Sequence, residues 1–345
     1  MHDKHWDGLL ASIRGEAKKP LPIGFIIDCP WLPNWYGVSI LEYFQSDEVW
    51  FEANKKAIET FPAAMFLPGF WSEFGMCTEP SAFGVKCQFP ENEFPFAQKC
   101  IMSEDDIDNL ELPDVATDGL LPFMLNRLTR NRSRIEKMGH KIRFSVSRGP
   151  LNIASFLMGT TEFLMMLGTD PERTHRFLKL INEYLMAWHA RQREAVDSID
   201  GMLVLDDIVG FISEADYLEF AHPYLKQLFD APVSVKLFHN DADFRQSVKH
   251  YPDLGVNLYN PGIHMTMEEI HQATGHRMTI LGNIPPRDVL AKGTPADVAA
   301  AVNKMLAETK DHARILASCG GGMPPGVTTE NLNAFIAAIT KAPSP

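Results

Sequence analysis

The chain has 345 residues, of which 45% are hydrophobic and 22% charged, and its formal net charge is −12. That length accommodates one large α/β domain with a sizeable core. An acidic chain without Lys/Arg clusters speaks against nucleic acid or an anionic membrane as partner, and no apolar run approaches the ~20 residues of a membrane span.

The amino-terminal Met1-His-Asp-Lys-His-Trp-Asp-Gly8 is charged and lacks the apolar centre of a signal peptide, so the cytoplasm is the expected location. A short polar helix is expected over 7–19, within a helical extension of residues 1–20. Residues 22–28 read as a first buried strand. It ends in Asp28-Cys-Pro-Trp-Leu-Pro-Asn-Trp-Tyr36, a loop too rich in tryptophan for a mere connector and expected to cover a pocket. A helix over 49–60 leads to a second strand over 62–67. The long loop after it, 68–94, places Trp71, Glu73 and Glu79 among phenylalanines. A carboxylate in such surroundings has a raised pKa unless it is paired; two solvated loop acids are the plainer alternative.

Residues 103–140 carry a helical pattern broken at Pro113, with 120–138 as the longer piece. A third strand, 142–146, delivers Ser147-Arg-Gly-Pro150 to a helix over 151–159, and Thr169-Asp-Pro-Glu172 opens a long helix to about 196. The fourth strand, 202–205, ends in Asp206-Asp207. Adjacent acids at a strand end suit acid–base or substrate contact, and equally a helix cap. Ser213-Glu-Ala-Asp216 resembles a capping box and starts a helix to 229. Strands five to eight fall at 233–238, 255–259, 277–281 and 313–317, with helices over 266–274, 295–308 and 329–340.

The fifth strand carries the richest signal. Val235-Lys-Leu-Phe-His-Asn-Asp-Ala-Asp243 passes abruptly from apolar to polar, as a buried strand does when it delivers side chains to its carboxyl end. In extended backbone His239 and Asp241 point to the same side, where an imidazole and a carboxylate can share a metal or a proton. The eighth strand runs into Cys319-Gly-Gly-Gly-Met-Pro-Pro325, a thiol followed by glycines where backbone must come close to something. If the two strands face each other across a barrel, His239, Asp241 and Cys319 converge. A structural histidine and an inert core thiol are the alternative. The five cysteines (29, 77, 87, 100 and 319) are too sparse for a disulfide framework, and no CxxC or HExxH is present, so any metal site is assembled from distant segments.

Eight strands alternating with helices imply parallel pairing with right-handed crossovers, and eight units over the whole chain fit a single-domain α/β (β/α)8 barrel, 1–345, better than an open sheet. No GxGxxG follows the first strand, which weakens a dinucleotide-binding reading.

Several segments resemble the uroporphyrinogen decarboxylase superfamily: Ser147-Arg-Gly-Pro-Leu-Asn-Ile-Ala-Ser-Phe156, the stretch Asp207-Ile-Val-Gly-Phe-Ile-Ser-Glu-Ala-Asp-Tyr-Leu-Glu-Phe-Ala-His-Pro-Tyr-Leu-Lys226, Gly282-Asn-Ile-Pro-Pro286 and Gly321-Gly-Met-Pro-Pro-Gly-Val-Thr-Thr-Glu-Asn331. The resemblance implies a (β/α)8 barrel, in agreement with the strand count. Within the superfamily, decarboxylases carry an arginine-rich loop after the first strand and a histidine near the last glycine loop. This chain has no arginine over 28–36 and has Cys319 at the second place. It is more similar to the corrinoid-dependent methyltransferases, which hold zinc through a His-x-Cys pair and a distant Cys. His239 and Cys319 match, and Asp241 replaces the middle thiolate. That resemblance implies zinc at His239, Asp241 and Cys319, with Glu79 as a further ligand. It implies Asp206 and Asp207 as hydrogen-bonding or acid–base groups beside Asp241. A corrinoid (cobalamin) would be carried by a partner protein, and a small methyl donor or acceptor, a methoxylated aromatic among them, would be the substrate of an O-demethylation. Asp28, Trp31, Trp35, Trp71, Glu73, Arg148, Tyr259 and Asn283 are the expected substrate contacts, and a homodimer is compatible with the family. A decarboxylase-like lyase and a non-catalytic binding protein are the rival readings.

Overall fold

The structure, a computed structural model, describes residues 1–16, 20–27 and 30–341. All eight expected strands are present: β1 (Ile23–Ile26), β2 (Ala64–Leu67), β3 (Phe144–Arg148), β4 (Gly201–Leu205), β5 (Val235–Asn240), β6 (Leu258–Pro261), β7 (Thr279–Ile284) and β8 (Ile315–Cys319). They form one parallel sheet in the order β2-β1-β8-β7-β6-β5-β4-β3. Their apolar runs are buried on both faces, as a parallel sheet covered by helices requires.

The sheet is curled. Side chains from all eight strands, Ile26, Leu67, Val146, Leu203, Leu237, Leu258, Leu281 and Leu316, belong to one apolar cluster. No ladder joins β2 to β3 among the described residues. Yet Pro68 and Trp71, just past β2, line one small cavity with Ile142, Phe144 and Val146. In a flat sheet with strands ~4.8 Å apart, those two edges would lie some 30 Å from each other. A second, larger cluster, with Phe25, Ile153, Leu178, Phe238, Val302 and Phe335, fills the space between sheet and helices.

Two segments near the amino terminus differ in kind from the sequence reading. The first helix, α1, spans Asp3–Ile13 rather than 7–19, and it is not merely polar: Trp6 and Leu9 join the cluster inside the sheet, so the helix covers the amino ends of the strands. The tryptophan-rich segment after β1 is not a loop but a short helix, α2 (Trp31–Tyr36), ended by Gly37 in the left-handed region. The expected start at Thr169-Asp-Pro-Glu172 is seen, with the Asp170 side chain accepting from Arg173 N at 3.0 Å at the head of a long helix. The helix α3 (Pro150–Met158) packs on that long helix, α4 (Pro171–Ala195), which lies against β3. The helices α5 (Met267–Thr274) and α6 (Pro295–Glu308) follow β6 and β7. No single helix among the described residues is long and apolar enough to cross a membrane.

Candidate functional site

The polar strand ends do collect at one end of the curled sheet. His239 stands at the end of β5, in register with Asn260 at the end of β6. The Nδ1 atom of His239 lies 2.7 Å from Oδ1 of Asn260. The amide of Asn260 is fixed by its other end, since Nδ2 donates to the carbonyl of Leu281 at 2.7 Å. An amide oxygen only accepts, so Nδ1 of His239 carries the proton and Nε2 presents a lone pair. That is how a metal-binding imidazole is usually held: one ring nitrogen donates to a fixed acceptor and the other faces the site.

Around that lone pair stand two carboxylates. Nε2 of His239 is 3.7 Å from Oδ1 of Asp207, which also accepts from the backbone N–H of Asp241 at 3.2 Å. Donor atoms of Asp207, His239 and Asp241 all lie within 4.8 Å of one another. Burial raises the pKa of Asp207; His239 lowers it and the neighbouring Asp241 raises it. A neutral imidazole nitrogen and two carboxylates turned on one point repel unless a cation or extra protons occupy it.

The glycine loop after β8 closes on the same point. Gly321, at φ +71°, lies where an added Cβ would be 2.5 Å from Oδ2 of Asp241, and a Cβ on Gly262 would be 2.3 Å from the Asp241 carbonyl. Cys319 is buried at the end of β8, with Sγ 3.7 Å from the carbonyl oxygen of Gly321. The thiol therefore reaches the neighbourhood of Asp241 through Gly321, while the tight group of donors takes Asp207 as its third member.

Other expected site residues fall elsewhere. Asp206 alternates with Asp207 and faces the opposite way. Its buried carboxylate accepts from the backbone N–H of Leu151 and Asn152, at 2.9 Å each, and caps the start of α3. Burial raises its pKa well above the usual range, and those amides oppose the shift. Glu79 does not join the Asp207–His239–Asp241 group. Its carboxylate lies 3.8 Å from the Arg148 guanidinium and accepts the Arg148 N–H at 3.2 Å; Glu73 is 2.9 Å from the same guanidinium. Burial raises the pKa of Glu79 while Arg148 opposes it. The guanidinium also lies 5.9 Å from the Trp71 ring, so Trp71, Glu73, Glu79 and Arg148 make one buried unit at the end of β3.

Trp31 and Trp35 stack on each other at 5.3 Å and donate to Val327 O at 3.1 Å and Thr329 Oγ1 at 3.0 Å, so they support the end of the glycine loop from behind. Tyr259 is fully buried and donates to the carbonyl of Asn240 at 3.1 Å, beneath the site. Asn283 donates to Met265 O at 2.8 Å and lines a lateral cavity of about 390 Å³ between α5 and α6. Asp28 lies outside the described residues. A cavity of about 940 Å³ opens at the amino ends of the strands beside α1, away from His239.

The sequence reading passed over Asn260, the residue that fixes the His239 tautomer. Its signal was the same as that of His239, a polar side chain at the end of an apolar strand. Asn152 was missed as well: its Oδ1 accepts from Ile208 N at 3.1 Å and its Nδ2 donates to Leu205 O at 3.2 Å, pinning the turn that presents Asp207.

Among solved structures, the chain is similar to a methyltransferase from Methanosarcina mazei, with a TM-score of 0.80 at 19% identity, covering 96% of this chain and 97% of that one. It is also similar to a B12-independent methionine synthase from Shewanella sp. W3-18-1, with a TM-score of 0.58 at 11% identity, over 93% of this chain and 98% of that one. At such identities these likenesses speak for the fold. Curated relatives include the uroporphyrinogen decarboxylases of Hahella chejuensis, 26% identical over 78% of this chain and 76% of the relative, and of Chlorobaculum tepidum, 25% identical over 74% of each. The family model described as uroporphyrinogen decarboxylase (URO-D) matches residues 7–342, from α1 to the last helix and through every strand of the sheet, and the chain belongs to that family.

Proposed function

We propose that the chain is a single-domain (β/α)8-barrel methyltransferase. It moves a methyl group between a small methoxylated substrate and the cobalt of a corrinoid carried by a partner protein, with zinc at the strand ends. The observation that carries this reading is the meeting of Asp207, His239 and Asp241 within 4.8 Å, with the Nε2 lone pair of His239 turned toward it. The residues fit such an ion: an imidazole of fixed tautomer and two carboxylates are a zinc-type donor set, and a thiol stands at the end of β8 beside the loop that meets Asp241. His239, Asp241 and Asp207 would hold the metal, with Cys319 closing the set from β8. Bound there, zinc supplies a Lewis acid that makes an ether or hydroxyl oxygen a better leaving group.

The chain's own residues do the rest. Asn260 keeps the proton on Nδ1 of His239. Gly321 lets the last loop lie against Asp241 and shields that side from water. The Arg148 unit holds Trp71 as a rigid wall at the end of β3, and an aromatic wall suits an aromatic methoxy compound. The fold likeness to a methyltransferase supports this reading, as does the lack of arginine over 28–36, which leaves a polycarboxylate substrate without a clamp there.

A second reading, a decarboxylase, has the names of the curated relatives in its favour. The deciding experiment is methyl transfer from methoxylated aromatics to a reduced corrinoid protein, with and without zinc, in parallel with carbon dioxide release from uroporphyrinogen. We expect zinc-dependent methyl transfer, with Cys319→Ser retaining the fold and losing at least tenfold in zinc affinity, the thiolate being the softest donor present. Carbon dioxide release without any methyl transfer would put the decarboxylase first.

A further inference from the structure

A second set of metal-type donors lies far from His239, at the amino ends of the strands. His271 is in the last turn of α5, His276 follows the Gly275 cap, and Asp311 precedes β8. One donor atom from each lies within 4.8 Å of the others. The imidazole rings of His271 and His276 are 5.2 Å apart, and Nδ1 of His276 is 3.1 Å from Oδ2 of Asp311.

His271 is the informative member. It is fully buried, and its Nε2 lies 3.3 Å from the carbonyl oxygen of Arg314. A carbonyl only accepts, so Nε2 carries the proton and Nδ1 the lone pair. Among the described residues Nδ1 has no hydrogen-bond partner. A buried imidazole nitrogen left so costs desolvation that a ligand would recover. His276 stands at φ +55°, the one non-glycine residue in the left-handed region among the described residues. That conformation is strained for a residue with a Cβ and persists where surroundings impose it.

We propose that His271, His276 and Asp311 form a second, structural site for a divalent ion of the zinc class. Two imidazoles and one carboxylate select zinc, cobalt, nickel or copper over magnesium and calcium, which prefer all-oxygen sites. Glu268 stands one turn before His271, its carboxylate held by Lys310 N and Gln272 Nε2 at 3.0 Å each, and adds outer negative charge. The ion ties the end of α5 to the segment that enters β8. It therefore braces the strand that carries Cys319, from the opposite end of the sheet. This proposal does not depend on the methyl-transfer reading.

The test uses the full chain carrying His239→Ala, which disables the first site. Zinc is titrated against a competing chelator, and the melting temperature is read with and without zinc. We expect about one zinc per chain to remain and zinc to raise the melting temperature. Adding His276→Gln and Asp311→Asn should lower zinc affinity by more than the 10–100-fold that losing an outer partner costs, and abolish the rise. Both residues are partly exposed, and asparagine keeps the cap that Asp311 gives to Ala313 N, so the zinc-free fold should be unchanged. No zinc uptake by the His239→Ala chain overturns the proposal. So does uptake that the two further substitutions leave untouched, since the ion would then sit elsewhere.

Discussion

Asn260 accepts the Nδ1 proton of His239 at 2.7 Å, across two strands paired at that very register. The bond decides which imidazole nitrogen faces the two carboxylates. Asn260→Ala should leave the sheet intact, free the ring to rotate, and weaken zinc binding by about 10–100-fold. Asn260→Asp keeps the acceptor but sets an oxygen against the Leu281 carbonyl in place of the amide donor, and should recover only part of the loss. Equal affinity in all three proteins, by chelator competition, would detach the asparagine from the metal.

Gly321 offers a comparison with its own control. Gly321→Ala places a methyl group 2.5 Å from Oδ2 of Asp241 and forces alanine to φ +71°. Gly37→Ala imposes a similar backbone penalty at φ +90° with nothing within 4 Å of the new Cβ. Both should lose about 1–2 kcal/mol of stability in urea titrations, and only the first should lose zinc affinity, by at least tenfold. Matching zinc affinities would mean that the loop does not set the position of Asp241.

Asp206 predicts a pH dependence. Its folded pKa lies well above the ordinary value because the carboxylate is buried, so folding takes up a proton there. The stability this group contributes is complete below its unfolded pKa, about 3.9, and is lost as pH rises through the folded value. Asp206→Asn has no proton to lose, so its stability relative to the parent should improve from pH 5 to pH 8. Asp206→Ala orphans the amides of Leu151 and Asn152 and should cost roughly 1–3 kcal/mol at both values. A parent chain that gains on the asparagine variant as pH rises would show that the carboxylate is charged in the fold.

His189 predicts the opposite slope. It bridges Ser147 Oγ at 2.9 Å and Ser145 Oγ at 2.8 Å between α4 and β3, and burial takes its pKa down to about 3. A histidine depressed in the fold contributes stability above its unfolded pKa of about 6.5 and loses it as pH falls toward 3. At pH 5 that loss is roughly 2 kcal/mol. His140, pushed by burial to about 4, adds to the same acid sensitivity. His189→Gln should therefore flatten, without abolishing, the fall in urea midpoint between pH 7 and pH 5; an unchanged fall would assign it elsewhere.

The sheet was legible because parallel strands buried on both faces leave apolar runs, and eight such runs stand out. Their ends were not. The reading stopped at 238, 259, 281 and 317, whereas the strands continue through Asn240, Pro261, Ile284 and Cys319. Periodicity registers side chains, while the ladder is made by backbone groups that are indifferent to them. The same limit hid the roles of Asp206 and Asp207. Adjacent residues on extended chain face opposite ways, and only the register of β4 against β5 decides which one meets His239. Nor could Glu79 be told from a metal ligand, or Glu73 from a substrate contact, since nothing local to the loop announces that Arg148, on a distant strand, claims both.

Trp31 bonds to Val327 across 296 positions of chain and Trp35 to Thr329 across 294. During synthesis, then, the first of these segments leaves the ribosome long before its partner exists. Until β8 arrives, β1 keeps one open edge, and the indole N–H groups of α2 lack their acceptors although the rings already meet Phe61 and Phe66. An unfilled strand edge invites association between unfinished chains. Loops this long also make closure slow relative to local helix formation. The joining of β1 to β8 therefore waits for the end of the chain, and a polypeptide stopped short of residue 327 lacks the carbonyl to which Trp31 donates.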